Sequence, residues 1–100
     1  MSRRGKLIDR LFGSKNPGIT YRQAENLLLH LGFNRKETPG EGRKFGSGSH
    51  RTFWMKCHGE LVYCRLVQPH GKGDADLSRP DILTLRKTVE RLLELGTDLD

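Results

Sequence analysis

The sequence lacks a long apolar run and has few cysteines. No hydrophobic stretch approaches the roughly 18 residues that are needed to span a bilayer. Asp9 and Arg10 interrupt the apolar segment that a secretory signal would need after the basic N-terminus. Two cysteines, Cys57 and Cys64, are too few for a disulfide framework. These absences argue against a membrane protein and a disulfide-rich secreted domain, and they predict a cytoplasmic location.

Acidic residues are scarce in one half of the chain. Residues 1–56 contain 12 Lys or Arg and 4 Asp or Glu, whereas residues 57–100 contain 6 and 8, so the net charge of +6 comes from the first half. This asymmetry predicts a face that binds a polyanion, and ordinary solubility charge is the alternative. The length of 100 residues, with 34% hydrophobic and 30% charged residues, is typical of one folded domain over residues 1–100.

Three segments show apolar residues at helical spacing. The first lies in an N-terminal extension, residues 1–19. The second begins at Thr20, which forms a capping box with Gln23, and the third begins at Ser78, which pairs in the same way with Asp81. The predicted buried positions of the three helices are Leu7, Ile8, Leu11, Phe12, Ala24, Leu27, Leu28, Leu31, Ile82, Leu85, Val89, Leu92 and Leu93.

Between the second and third helices the sequence predicts an antiparallel sheet. Residues 51–56 and 61–67 are rich in β-branched and aromatic types, and His58 with Gly59 suits the tight turn between them. A short edge strand is expected around residues 43–45. The order α-β-β-β-α over residues 20–95 then gives a two-layer α+β domain, with two helices on one face of a three-stranded antiparallel sheet.

The turn sets the register of the hairpin, and a one-residue slip would exchange its two faces. In this register Trp54 lies opposite Tyr63 on the outer face, beside Lys56 and Arg65. Exposed aromatic residues could stack on unpaired bases, form a patch for a protein partner, or stabilise the sheet by less than about 1 kcal/mol. Among these we favour the protein interface. The pairs on the inner face are Arg51 with Leu66, Phe53 with Cys64, and Met55 with Val62.

A Gly- and Ser-rich stretch, residues 46–49, leads directly into a histidine. Its glycines allow a backbone to approach a phosphate, and its N–H groups can surround an anion. The imidazole of His50 can take or give a proton near neutral pH. Arg51 and Lys44 can offset charge on a phosphate. The pattern suits a ribonuclease in which His50 deprotonates a ribose 2′-OH, although a histidine at the start of a strand is more often a surface or turn-bonding residue.

The order of the elements, GSGSHRTF in the strand, and QPHGKG before a helix with TLRKTVERLL together resemble the HicA family. These proteins are the toxins of HicA–HicB toxin–antitoxin systems, and the resemblance covers roughly residues 20–95. It implies a fold like the double-stranded-RNA-binding domain and cleavage of mRNA without a bound metal or other cofactor. It also implies that His50, the last residue of the Gly48-Ser49-His50 triplet, is catalytic. Many family members carry a second histidine where this chain has Arg51.

The resemblance also implies partners and surrounding site residues. The partners would be mRNA and a HicB-like antitoxin protein that neutralises the toxin by covering the site; the oligomeric state, for which a monomer is one option, stays open. A non-catalytic RNA-binding module on the same fold is the main alternative, and an interaction subunit that binds a protein tightly is another. The residues predicted to contact RNA are Lys44, Gly48, Ser49, Arg51, Trp54, Lys56, Arg65, His70 and Lys72.

The remaining histidines and the cysteines are candidates for other chemistry. His70 follows Pro69 just after the last strand, where it could be a second acid, a phosphate contact, or a loop residue bonded to backbone. His30 and His58 are expected to have no function. Cys57, Cys64, His58 and His70 are zinc-ligand types, but the chain has no C-x-x-C pair, so no metal site is expected.

Overall fold

The computed structural model shows an α+β fold, as predicted, with three helices and an antiparallel sheet. The elements in chain order are α1 (Arg3–Gly13), α2 (Tyr21–Leu31), β1 (Gly46–Ser47), β2 (His50–Cys57), β3 (Glu60–Val67) and α3 (Arg79–Glu94). The structure describes residues 3–13, 17–35, 46–47, 50–68 and 75–96. Within these ranges, none of the helices has the length and apolar character that crossing a membrane requires.

β2 and β3 form a hairpin in the predicted register. The turn residues His58 and Gly59 both have positive φ angles, 52° and 84°, which are the values of a type I′ turn. This turn matches the right-handed twist of the strands and therefore fixes which residues face each other. The confirmed pairs are Arg51 with Leu66, Phe53 with Cys64, and Met55 with Val62.

The other edge of β2 is paired at two separate points. The two residues of β1 pair antiparallel with the start of β2. Further along, Asn34 exchanges two backbone hydrogen bonds with Trp54, at N–O distances of 2.7 and 3.2 Å. The edge strand expected at residues 43–45 lies outside the described residues. Because β1 is only two residues long, a full third strand stays a prediction.

α2 and α3 start side by side at one end of the sheet. The segments that precede them form an antiparallel bridge, in which Tyr21 N–H donates to Ala75 at 3.0 Å and Leu77 N–H donates to Ile19 at 2.8 Å. The predicted capping box at Thr20 is confirmed, and Gly32 ends α2 with a φ of 105°. Both helices therefore begin near the same end of the hairpin and run towards its turn.

α3 follows β3 in the opposite direction and is attached to it at both ends. Near the start of α3, Asp81 accepts a hydrogen bond from the N–H of Val67 at 2.9 Å. Near its end, Arg91 pairs with Glu60 of β3. The predicted capping box at Ser78 is therefore only half right. Ser78 accepts from the N–H of Asp81 at 3.4 Å, but the Asp81 carboxylate binds the neighbouring strand because that strand lies within reach.

The helices and the inner face of the hairpin enclose one hydrophobic core. Two of the predicted buried positions are wrong: Phe12 is 42% exposed and Leu93 is 52% exposed. Each lies next to a residue, Leu11 or Leu92, that is fully buried, because the contact surface covers a narrower stripe of the helix than the apolar spacing suggests. The largest fully buried side chains are Phe53, Leu11, Ile19, Leu28, Leu66, Leu85, Leu92, Val89 and Cys64.

α1 belongs to the same core. Leu11 near its end is fully buried, and α1 packs against both α2 and α3. The side chain of Arg86 on α3 donates to the backbone oxygen of Leu11 at 2.8 Å. A guanidinium at a helix C-terminus satisfies one of the free carbonyls there and opposes the negative end of the helix dipole. The N-terminal extension is thus held in place by a specific polar contact as well as by burial.

Candidate nucleic-acid interface

His50 lies at the first position of β2, and its side chain is exposed to solvent. It pairs with Ser47 of β1 on one side and with Val67 of β3 on the other. Side chains alternate along a strand, and Phe53, three positions further on, points into the core. His50 therefore projects from the outer face of the hairpin, away from the helices.

Eight side chains of β2 and β3 share this outer face, and none of them is fully buried. They are His50, Thr52, Trp54, Lys56, Leu61, Tyr63, Arg65 and Val67. Lys56 and Arg65 are exposed and positively charged, and no acidic residue occupies any of the eight positions. Glu60, the acidic residue of the hairpin, belongs to the other set and pairs with Arg91 on the helix side. The outer face is therefore cationic.

Arg65 is the cation closest in register to His50 on this face. It lies directly opposite Thr52, two positions from Val67, which lies opposite His50. Diagonal neighbours of this kind are roughly 7–8 Å apart, a distance that a long side chain can cover. An imidazole and a guanidinium at this spacing can serve as proton acceptor and phosphate ligand in one reaction.

Arg51 does not share the face of His50. It is half-buried on the helix-facing side, opposite Leu66, and its guanidinium donates to the backbone oxygen of His50 at 2.9 Å. Its predicted contact with RNA would have to be made around the edge of the sheet. The structure thus brings Arg65, and not the sequence neighbour Arg51, onto the surface that carries the imidazole.

Arg51 belongs to a polar cluster with Tyr21 and Glu25 of α2 and with Arg35, which follows that helix. The hydroxyl of Tyr21 donates to Glu25 at 2.9 Å, and Glu25 lies 3.7 Å from the guanidinium of Arg35. Burial and the hydrogen bond to Glu25 raise the pKa of Tyr21 well above its usual range, while the positive charge of Arg51 acts in the opposite direction. Nothing in the sequence marked this cluster, because its members come from three separate segments.

Trp54 and Tyr63 form the centre of the outer face. The N–H and C=O of Trp54 both bond to Asn34, so they point away from β3. Trp54 and Tyr63 are therefore a non-hydrogen-bonded pair, in which the strands approach most closely and the side chains are in contact range. Both are half-buried, not fully exposed as predicted, and the hydroxyl of Tyr63 has no accessible surface.

The end of the sheet that carries His50 is supported by the two helix starts. The hydrogen bond from Val67 to Asp81 fixes the residue that lies opposite His50. The partial positive charge of a helix N-terminus favours an anion nearby, although the effect decays within the first turn. The sequence predicts only a helix cap for Asp81, since no local feature shows that its carboxylate reaches a strand fourteen residues earlier.

Neither cysteine forms part of the outer face. Cys57 and Cys64 are free thiols and both are buried. Burial raises the pKa of Cys64 to about 12, with a hydrogen bond to Thr88 acting in the opposite direction. Such a thiol stays protonated and unreactive at neutral pH. Among the residues that the structure describes, no group of three or more His, Cys, Asp or Glu side chains could hold a metal ion.

Several predicted site residues lie outside the described part of the chain: Lys44, Gly48, Ser49, His70 and Lys72. Of the predicted residues that are described, His50, Trp54, Lys56 and Arg65 share one face, and Arg51 lies on the other. Thr52 was not predicted as a site residue, but its register places it between His50 and Trp54, opposite Arg65. No protein-family model, curated protein sequence or solved structure matches this chain.

Proposed function

We propose that this protein is a metal-independent endoribonuclease of the HicA type, with His50 as its catalytic residue. The observation that carries the proposal is the exposed imidazole of His50 on a cationic face without acidic residues. Motif and geometry support the same residue, because the Gly48-Ser49-His50 triplet that resembles the family ends at the position from which the side chain projects. The two helices on one face of the hairpin are in keeping with a fold like the double-stranded-RNA-binding domain.

The reaction we propose is attack of a ribose 2′-oxygen on the adjacent phosphorus. His50 takes the proton of the 2′-OH, the new P–O bond forms, and the bond to the 5′-oxygen breaks. The leaving oxygen takes up a proton from a general acid or from water. His70 is the side chain that we propose as this general acid. Arg65 is the cation placed to offset the charge that develops on the phosphate. The products are a 2′,3′-cyclic phosphate and a free 5′-hydroxyl.

The same proposal includes mRNA as the substrate, a HicB-like antitoxin as the protein partner, and the cytoplasm as the location. The support for these is the resemblance in sequence and the cationic surface around His50. An antitoxin that covers this surface would block access of RNA to the imidazole. Addition of purified antitoxin at equal molar ratio should then abolish cleavage, and a protein that binds without inhibiting would contradict this part.

The test of catalysis compares cleavage of a long single-stranded RNA by the wild type, His50→Gln and His58→Asn, with excess chelator present. The glutamine side chain retains polar groups but cannot titrate. His58 is a matched control, because it is an exposed histidine at the other end of the same hairpin. Removing a general base typically lowers a rate by about 10²–10⁴-fold. We expect that loss for His50→Gln only, after circular dichroism has shown equal folding.

Each outcome decides one part of the proposal. Equal cleavage by all three proteins would remove His50 from the chemistry, and His70→Gln would be examined next. Cleavage by the wild type that occurs only when the chelator is omitted would contradict the metal-independent reaction. RNA binding by the wild type without any cleavage would favour the non-catalytic RNA-binding module.

A further inference from the structure

The outer face of the hairpin combines charge, aromatic surface and a proton acceptor along one line. His50 lies at one end, Thr52 and its partner Arg65 come next, and then the pair of Trp54 and Tyr63. Lys56 ends the line near the turn. His50 and Lys56 are six positions apart along β2, which corresponds to about 20 Å.

The charges on this line favour a polyanion over a protein as its occupant. Two exposed cations flank the aromatic pair, one on each side, and the eight outward positions contain no acidic residue. A phosphate backbone that follows the strand direction would meet Arg65 near His50 and Lys56 near the turn. A protein docking there would have to supply acidic groups for both cations.

The backbone at the centre of the outer face is paired on both sides of β2. The backbone of Trp54 is bonded to Asn34 in both directions, and the side-chain amide of Asn34 also donates to the Trp54 oxygen at 3.4 Å. Tyr63 lies directly opposite, with its hydroxyl covered and its side chain half-exposed. A half-buried aromatic surface suits stacking, because a ring that is already partly packed loses little side-chain freedom when a base stacks on it.

Such a surface discriminates between unpaired and paired RNA. In an A-form duplex the bases are stacked on each other, the major groove is too narrow for side chains, and aromatic residues reach only splayed bases. A surface of about 20 Å has room for about four nucleotides of single strand. This is the lower end of the range that single-strand-binding domains cover, about 4–16 nucleotides per domain.

We propose that the outer face of β2 and β3 is a binding track for an unpaired RNA segment of about four nucleotides. One phosphate lies at Arg65 beside His50, one or two bases stack on Trp54 and Tyr63, and a second phosphate lies at Lys56. From His50 the track runs along the strands towards the turn. It deepens the proposed function by naming single-stranded RNA as the substrate, and its binding step does not depend on cleavage.

Trp54 is the only tryptophan of the chain and reports directly on this track. The experiment titrates the protein with an eight-nucleotide single strand of 2′-O-methyl uridine, which lacks the attacking hydroxyl, and with its duplex. Trp54 fluorescence and the anisotropy of a labelled strand are recorded at two salt concentrations. Lys87→Gln is the matched control, because Lys87 is an exposed lysine on α3, in the helix layer.

We expect the single strand to quench Trp54 in the wild type. Arg65→Gln and Lys56→Gln should each make the slope of log affinity against log salt concentration less steep by about 0.7. Trp54→Leu, which keeps an apolar side chain, should weaken binding of the labelled strand by roughly 5- to 100-fold. Lys87→Gln should change none of these quantities, and the duplex should bind more weakly without quenching.

Three results would overturn the track. They are binding that leaves Trp54 fluorescence unchanged, equal weakening by Lys87→Gln and Arg65→Gln, and equal quenching by the duplex. Quenching by an antitoxin protein but not by RNA would assign the face to a protein partner. Failure of the proposed function looks different: the strand quenches Trp54 as expected, but unmodified RNA is not cleaved.

Discussion

Replacement of Asp81 by alanine should destabilise the end of the sheet at which His50 lies. The Asp81 carboxylate accepts the N–H of Val67 at 2.9 Å and is 7% exposed, so water cannot readily replace it. A hydrogen bond to a charged group contributes about 1.5–3 kcal/mol, and an acidic residue in the first turn of a helix contributes about 0.3–1 kcal/mol. We expect Asp81→Ala to lower the free energy of unfolding by about 2–3 kcal/mol.

The effect should also be local. Asp81→Asn keeps an oxygen acceptor but removes the charge, so it should lower the free energy of unfolding by only about 1 kcal/mol. Urea denaturation measures the free energy of unfolding of both variants. In thermal unfolding of a domain of this size, Asp81→Ala should lower Tm by on the order of 10–20 °C. Amide hydrogen exchange of Val67 should accelerate in Asp81→Ala well before exchange in the rest of β3.

Asp9→Ala is the control, because Asp9 is an exposed acid on α1 and its removal should change stability by less than about 0.5 kcal/mol. Equal losses for Asp9→Ala and Asp81→Ala would contradict this role of Asp81, as would unchanged exchange of the Val67 amide. RNA cleavage by Asp81→Asn should fall less than that by His50→Gln, since Asp81 acts only by holding the strand opposite.

Four further variants test three features of the fold: the turn, the buried thiol and the docking of α1. His58→Asn should stabilise the protein by about 0.5–1 kcal/mol in thermal unfolding, because asparagine tolerates the left-handed region in which His58 lies. Gly59→Ala, at a φ of 84° with open space around it, should destabilise it by about 1–2 kcal/mol; opposite signs would contradict the turn type. Burial raises the pKa of Cys64 from 9.0 to about 12, so the folded state keeps a proton that the unfolded state loses. The free energy of unfolding of the protein, measured in urea, should therefore fall as pH rises above 9, by up to about 1.4 kcal/mol per pH unit. Cys64→Ala should reduce this dependence on pH. Arg86→Met should speed amide exchange in the last turn of α1, whereas Lys87→Met, its exposed neighbour, should not.

Local sequence features predicted the hairpin register and the helix starts. His58 and Gly59 determine a two-residue turn, and once the turn is fixed every pair along the strands follows by counting. The capping box at Thr20 depends on two residues that are three positions apart, so it too can be seen in the sequence. Predictions of this kind are reliable because the interacting atoms are held together by a few covalent bonds.

Predictions that depended on neighbours distant in sequence were less complete. Phe12 and Leu93 have the spacing of buried residues but lie outside the contact surfaces of their helices. The sequence predicts that the Asp81 side chain caps the N-terminus of its own helix, whereas in the structure it accepts a hydrogen bond from β3. The pairing of Asn34 with Trp54 had no signal in the sequence, because a single bridge between residues twenty positions apart requires no pattern at either one.

For the candidate site, the strand spacing in the sequence was enough to predict which side chains share a face. Alternation along the two strands placed His50, Trp54 and Arg65 together on the outer side, because the side-chain period of a strand is two. The surroundings of these three residues depend on the tertiary structure. It placed Arg51 beside α2, half-buried the aromatic pair, and tied Val67 to Asp81, since these depend on how helices pack on a sheet and no covalent spacing records that packing.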